Sequence, residues 1–300
     1  MTAPRRPRSP RADDQPAARG AAAALRRVQA RLRRLGTEAL YESGAFYDHL
    51  YRRRRADVRF YVELAAQRGG PVLELGVGTG RVAFALAQAG VDVVGVDAMP
   101  SMLAHARERA LRLPERSRSR IALKRGDMRS LRLGRRFPLV IAPFNAFSHL
   151  YTRIDVERAL ATCRAHLLPR GRLAFDVTLP DLRALAQDPA RLFRYGVMVD
   201  PRDGRRYVQY EASDYEHAEQ VRSMTLLFER AGAPDVRRAL PLAHRQFFPA
   251  ELEALLHYNG FAIEQRFGDF ERGPLAAHSE SQIIVARPLP APRGRAARRA

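Results

Sequence analysis

Glu74 stands two residues ahead of three glycines at alternate positions, Gly76, Gly78 and Gly80, with Thr79 between the last two. The next apolar run ends in a second acid, Asp97, followed by Ala98. These residue types suit the capture of a small polar ligand. Glycine lets the backbone approach a ligand closely. The N–H groups at the start of the following helix favour an anionic group. A carboxylate such as Asp97 accepts hydrogen bonds from two neighbouring hydroxyls at once. The spacing is not the G-x-G-x-x-G of dinucleotide sites, which argues against a dehydrogenase.

Three further groups of residues have chemistry to offer. Gly126-Asp127-Met128 presents a carboxylate for an amino group and an apolar contact for a flat ring. The stretch from Ala142 to Leu150 contains Phe144, Asn145, Phe147 and His149. His149 has the near-neutral titration of a general base, and Asn145 is placed to cap a helix or touch a substrate. Aromatic faces stabilise a cation, which makes Tyr47, Phe144 and Phe147 candidates for a ligand wall. Asp176 is a candidate for a cationic substrate and Arg245 for an acidic one. Cys163 is the single cysteine, so a disulfide framework and a thiolate metal site are excluded and no metal is expected.

The elements that position these residues alternate regularly. Short apolar runs at 72–75, 91–96, 121–124, 137–142 and 172–177 read as strands, and helices fill the spaces between them. A helix is expected over 56–67 and another over 156–168. Strands alternating with helices imply a parallel sheet covered on both faces. Residues 206–246 break the pattern with alternating runs and turn signals, which predicts a small antiparallel insertion before the sixth strand. A helix at 249–258 and strands at 261–267 and 281–286 then complete the sheet. Leu25, Val28, Leu32 and Leu35 lie on one face of an amphipathic helix.

The formal charge of +20 sits mostly at the ends of the chain. The first 36 residues hold ten Arg and two Asp, and the last fourteen hold five Arg and no acid, leaving a net +7 for residues 37–286. Lys124 is the sole lysine. This skew towards arginine reads as solvated, disordered basic tails at 1–36 and 287–300 around one domain at 37–286. A nucleic-acid contact through the tails is the alternative use of that charge. No apolar run reaches membrane-span length and no secretory leader is recognisable, so the expected location is cytoplasmic, with no membrane partner.

The stretch Leu73-Glu74-Leu75-Gly76-Val77-Gly78-Thr79-Gly80-Arg81 resembles the first motif of class I S-adenosylmethionine-dependent methyltransferases. Val94-Gly95-Val96-Asp97 resembles their second strand and its acid, and Gly126-Asp127-Met128 their adenine motif. Leu168-Pro169-Arg170-Gly171 is similar to the turn before their fifth strand, with Arg172 where many members have another glycine. The resemblance covers residues 46–286. It implies an α/β, Rossmann-like, seven-stranded, mostly parallel sheet whose last strand is antiparallel. It implies S-adenosylmethionine as methyl donor and S-adenosylhomocysteine as product. Gly78 and Thr79 would line the methionine portion and Asp97 would hold the ribose. Tyr47 and Tyr51 lie on a segment that closes over the cofactor in similar enzymes. The implied activity is methyl transfer to nitrogen or oxygen of a small molecule. Methylation of RNA or protein through the basic tails is the alternative, and a non-catalytic cofactor-binding protein a third reading.

Overall fold

The computed structural model describes residue 36 and residues 38–290. The expected amphipathic helix at 25–35 and most of both basic tails lie outside the described residues.

Among the described residues, a short 3-10 turn at Ala39–Glu42 and the helices α1 (Gly44–Tyr51) and α2 (Ala56–Arg68) precede the sheet. The alternating part then runs β1 (Val72–Leu75), α3 (Arg81–Gln88), β2 (Val93–Asp97), α4 (Pro100–Ala110) and β3 (Ile121–Arg125). It continues with β4 (Phe137–Ala142), α5 (Arg153–His166) and β5 (Leu167–Thr178). Next come β6 (Phe193–Val199), β7 (Arg206–Glu216), β8 (Val221–Arg230) and β9 (Ala233–Arg245). The described chain closes with α6 (Pro249–Tyr258), β10 (Phe261–Phe267) and β11 (Ser281–Pro288).

The main sheet has seven strands in the order β10-β11-β5-β4-β1-β2-β3. β1 pairs in parallel with β2 and β4, and β11 is antiparallel to both β5 and β10. The expected α/β architecture is therefore present. The strand order reverses between β1 and β4, so the crevice beyond their carboxyl ends is where a ligand binds in such sheets.

One face of the sheet packs on α2, α3 and α4 through Phe60, Leu64, Val82, Phe84 and Leu103. The other packs on α5 and α6 through Leu160, Cys163, Leu252 and Leu256. Burying each large apolar side chain contributes about 1.5–3 kcal/mol. A capping box between Thr152 and Asp155 fixes the start of α5 beside the crevice.

β6 to β9 form a separate four-stranded antiparallel sheet. It begins at Phe193, one strand ahead of the expected insertion at 206–246. Gly196 and a register shift between Arg194 and Gly196 hide the alternation of β6 in the sequence. β5 starts at Leu167 rather than 172, because Leu167 already pairs with Phe137 before the turn. The inner face of the small sheet packs on Leu40 and Phe46 through Met224, Leu226, Phe228 and Leu242. The aromatic segment 38–51 covers the crevice through Glu38, Tyr41 and Tyr47, and the small sheet packs behind that segment. Among the described residues no helix is long and apolar enough to cross a membrane.

Candidate cofactor and acceptor site

A cavity of about 500 Å³ opens at the carboxyl ends of β1, β2 and β4. Its floor is the glycine turn. Gly76 and Gly78 have φ of 72° and 55°, a backbone that side chains rarely adopt. A Cβ on Gly76 would come within 3.0 Å of the Ala146 Cβ. Gly80 has another role: a Cβ there would meet the Phe84 ring at 2.4 Å, and the residue does not line the cavity. The turn's own N–H groups are largely engaged. Those of Gly76 and Val77 donate to the Val96 carbonyl, and that of Gly80 to Val77. The expected anion site is thereby reduced to the first turn of α3.

Asp97 is held by two backbone donors. Gly78 N–H reaches Oδ2 at 2.7 Å and Met99 N–H reaches Oδ1 at 2.8 Å. Each oxygen keeps a further acceptor position, so the carboxylate remains suited to a diol. Burial pushes this carboxyl up and the backbone donors oppose the shift. Ala98 lines the cavity beside it.

Glu74 is 2% exposed and faces the cavity. Its Oε2 has no hydrogen-bond partner among the described residues. Burial pushes its carboxyl up to about 8, against the nearby Arg81 and with the help of Asp97 and Asp57. Arg81 is engaged elsewhere, donating to Asp57 through both terminal nitrogens at 2.7 and 2.6 Å.

Asp127 and Met128 line the far end of the cavity. The Asp127 carboxylate also grips Arg129, with contacts at 2.6–3.0 Å, and Arg129 bridges on to Asp155 at 3.0 Å. The hydrogen bond from Arg129 holds the Asp127 carboxyl below its ordinary range, with burial opposing. Thr79 lines the cavity while its hydroxyl donates to Asp48 on α1. Asp48 also takes His105 Nε2 at 3.0 Å and Arg109 Nη1 at 2.9 Å. This knot fastens α1 to the glycine turn.

The upper wall is aromatic. Tyr47 and Phe144 line the cavity, and Tyr51 packs edge-on behind Phe144 at 4.8 Å between centroids. The Arg54 guanidinium sits 4.5 Å from the Phe144 centroid. Phe147 does not take part: it is 2% exposed and packs on Phe175 in the core. His149 lines the cavity beside Tyr41, whose hydroxyl lies 2.8 Å from His149 Nε2. On the other side of the ring, Tyr151 stands 3.4 Å from Nδ1 and donates its hydroxyl hydrogen to the Ala243 carbonyl. Each ring nitrogen thus has a phenol beside it, and with the imidazole hydrogen on Nδ1 the Tyr41 hydroxyl donates to Nε2. Burial pushes His149 down to about 4, so the ring is neutral at physiological pH.

Besides Gly80 and Phe147, three further expected site residues lie away from the cavity. Asn145 turns its amide oxygen to β5, accepting from the Thr178 N–H at 2.7 Å. Asp176, 1% exposed, accepts at Oδ1 from the Tyr61 hydroxyl at 2.7 Å and the Phe144 N–H at 2.8 Å. Arg245, 8% exposed, pairs with Glu251 on α6 and lies over the Phe247 ring. Each has a partner within the chain. Conversely, Tyr41 and the Arg81–Asp57 pair were missing from the sequence reading. The density of aromatics from Tyr41 to Tyr51 was a signal for the first, whereas Asp57 reads as an ordinary first-turn acid of a helix.

The cavity therefore offers a partnerless buried carboxylate oxygen, a two-oxygen acceptor for a diol, an apolar contact at Met128 and an aromatic wall. That set fits a ligand with an ammonium group, a ribose and a flat base. Residues 72–171 match the family model described as a methyltransferase domain. Over 121 residues the chain is 34% identical to dTDP-3-amino-3,6-dideoxy-alpha-D-glucopyranose N,N-dimethyltransferase of Streptomyces fradiae, covering 40% of this chain and 44% of that protein. A second such relative, dTDP-3-amino-3,4,6-trideoxy-alpha-D-glucopyranose N,N-dimethyltransferase of Streptomyces venezuelae, is 31% identical over 40% of this chain and 48% of its own length. The match thus spans less than half the length of these curated relatives. Among solved structures, the CcbJ methyltransferase of Streptomyces caelestis is 30% identical with a TM-score of 0.67, covering 78% of this chain and 96% of that one.

Proposed function

The chain belongs to the class I S-adenosylmethionine-dependent methyltransferases, and on that premise we propose that it methylates the amine nitrogen of a small molecule. The observation that carries the reading is the pairing of Tyr41 with His149 on the wall of the cavity whose floor is Glu74, Gly78 and Asp97. The names of the first relatives, which are amino-sugar N-methyltransferases, support nitrogen as the acceptor.

When bound, S-adenosylmethionine supplies an electrophilic methyl group on a sulfonium. The chain supplies position and dryness, which for a displacement are the larger part of catalysis. Asp97 accepts from the ribose hydroxyls, Met128 contacts the base, and Glu74 takes the ammonium. Tyr47 and Phe144 close the wall and exclude water. An amine must shed a proton as it is methylated. Tyr41 and His149 both line the cavity with the hydroxyl 2.8 Å from Nε2, so with the imidazole hydrogen on Nδ1 the two groups would form a proton path from acceptor to imidazole. Both are neutral between pH 5 and 8, since burial pushes Tyr41 up and His149 down.

The test is a transfer assay with labelled cofactor against amino sugars, amino acids, their hydroxyl counterparts and RNA. The expected product carries the label on nitrogen of a small amine. Label found only on oxygen, or only on RNA, contradicts the reading.

A further inference from the structure

Glu74 lies inside the sheet with β2 and β4 on either side. One carboxylate oxygen is buried without a partner among the described residues. The charged and titratable groups that face it come from three elements. Arg81 on α3 is the favourable one, but both its terminal nitrogens are bound by Asp57. Asp97 on β2 and Asp57 on α2 add negative charge, and Tyr61 on α2 gives its hydroxyl to Asp176 instead. The Ala83 N–H is the one further group that favours the ionised form. A carboxylate in a dry site, short of donors and flanked by two other acids, neutralises rather than stay charged.

We propose that Glu74 carries a proton until a cation enters the cavity, and releases it to solvent when the ammonium of S-adenosylmethionine docks against it. This rests on the cofactor reading above. The proton leaves the carboxyl group for the buffer, and no bond of the ligand is made or broken. A carboxylic acid becomes a carboxylate paired with an ammonium.

The consequence is a cofactor affinity that depends on pH. The unliganded carboxyl is pushed up to about 8, and a cation at hydrogen-bond distance pulls it down. Binding therefore tightens as pH rises from 6 towards 8, by up to about tenfold per pH unit, and weakens above that as the α-amino group of the ligand, which titrates near pH ~8, loses its own proton. His149, pushed down to about 4, and Asp127, held below its ordinary range, change charge outside that window.

Calorimetry of the full chain with S-adenosylmethionine at pH 7, in two buffers of different ionisation enthalpy, reads the proton directly. The expected heats differ by the amount for about one proton released per site. Glu74→Gln keeps the shape and the neutral form, so it should bind with equal heats in both buffers and with affinity independent of pH between 6 and 8. Equal heats for the wild-type chain, with binding intact, overturn the proposal. So does a Glu74→Gln protein that releases as many protons as wild type. If that variant fails to fold, the wild-type heats decide alone. An absence of any binding is a different failure, that of the cofactor reading itself.

Discussion

Glu74 and Asp176 occupy corresponding places at the ends of β1 and β5, and burial pushes both carboxyls up. Their surroundings differ in one respect. Two donors converge on Asp176 Oδ1, from Tyr61 and Phe144, while its backbone carbonyl accepts from Asn145 at 3.2 Å. Asn145 in turn accepts from Thr178. The loop after β4 is thereby welded to the end of β5. Glu74 Oε2 is buried with no such partner among the described residues, and Glu74 lines the cavity. A buried acid supplied with donors by its own chain maintains the architecture, whereas one left short of them is matched to a ligand.

The sharpest way to break this contrast is to truncate each acid. Asp176→Ala strands the Tyr61 hydroxyl and the Phe144 N–H, and should cost roughly 2–4 kcal/mol of stability in denaturant titration. An unchanged unfolding midpoint would remove Asp176 from its structural role. Glu74→Gln should instead act on binding, weakening cofactor affinity by about 10–100-fold at pH 8, since a charged hydrogen bond is worth about 1.5–3 kcal/mol. Its effect on stability has a sign that depends on pH. The folded carboxyl is pushed up to about 8 from an unfolded value of 4.5, so the unliganded wild-type chain loses stability as pH climbs from about 5 to 8. Thermal melts of Glu74→Gln should lack that decline. A parallel decline in both proteins would locate the titration elsewhere.

His149 tests the reacting end of the same cavity. His149→Ala should slow methyl transfer about 10–100-fold at saturating acceptor, in line with general-base assistance. A rate within a few-fold of wild type would make His149 a wall residue only. Because the ring is pushed down to about 4, wild-type rate profiles should show no His149 ionisation between pH 5 and 8. The smallest effect on binding belongs to Thr79→Val, which removes the hydroxyl bond to the Asp48 carboxylate, worth about 1.5–3 kcal/mol of stability, while His105 and Arg109 keep that carboxylate paired. It should weaken cofactor binding a few-fold by loosening α1 from the glycine turn, and equal affinity would show that the knot around Asp48 is not needed there.

The same contrast explains which residues could be read from the sequence. The meeting of the glycine turn, Asp97 and Met128 at one crevice is legible because strand, turn and helix follow one another locally. The pairing of Asp176 is not legible because its partner Tyr61 lies 115 residues away in the chain. Nor does local pattern show that Arg245 pairs with Glu251 on α6, or that Asn145 accepts from Thr178. β6 escaped because a glycine and a register shift erase its alternation. Tyr41 became visible only when the fold brought it to His149, 108 residues on.

The measurement that tests the central claim is the affinity of S-adenosylmethionine for the wild-type chain and for Asp97→Ala. Saturable binding by the wild type should fall about 100-fold or more in the variant, through loss of the ribose contact and of the bonds from Gly78 and Met99. Equal affinity in the two proteins would contradict the placement of the cofactor on the glycine turn.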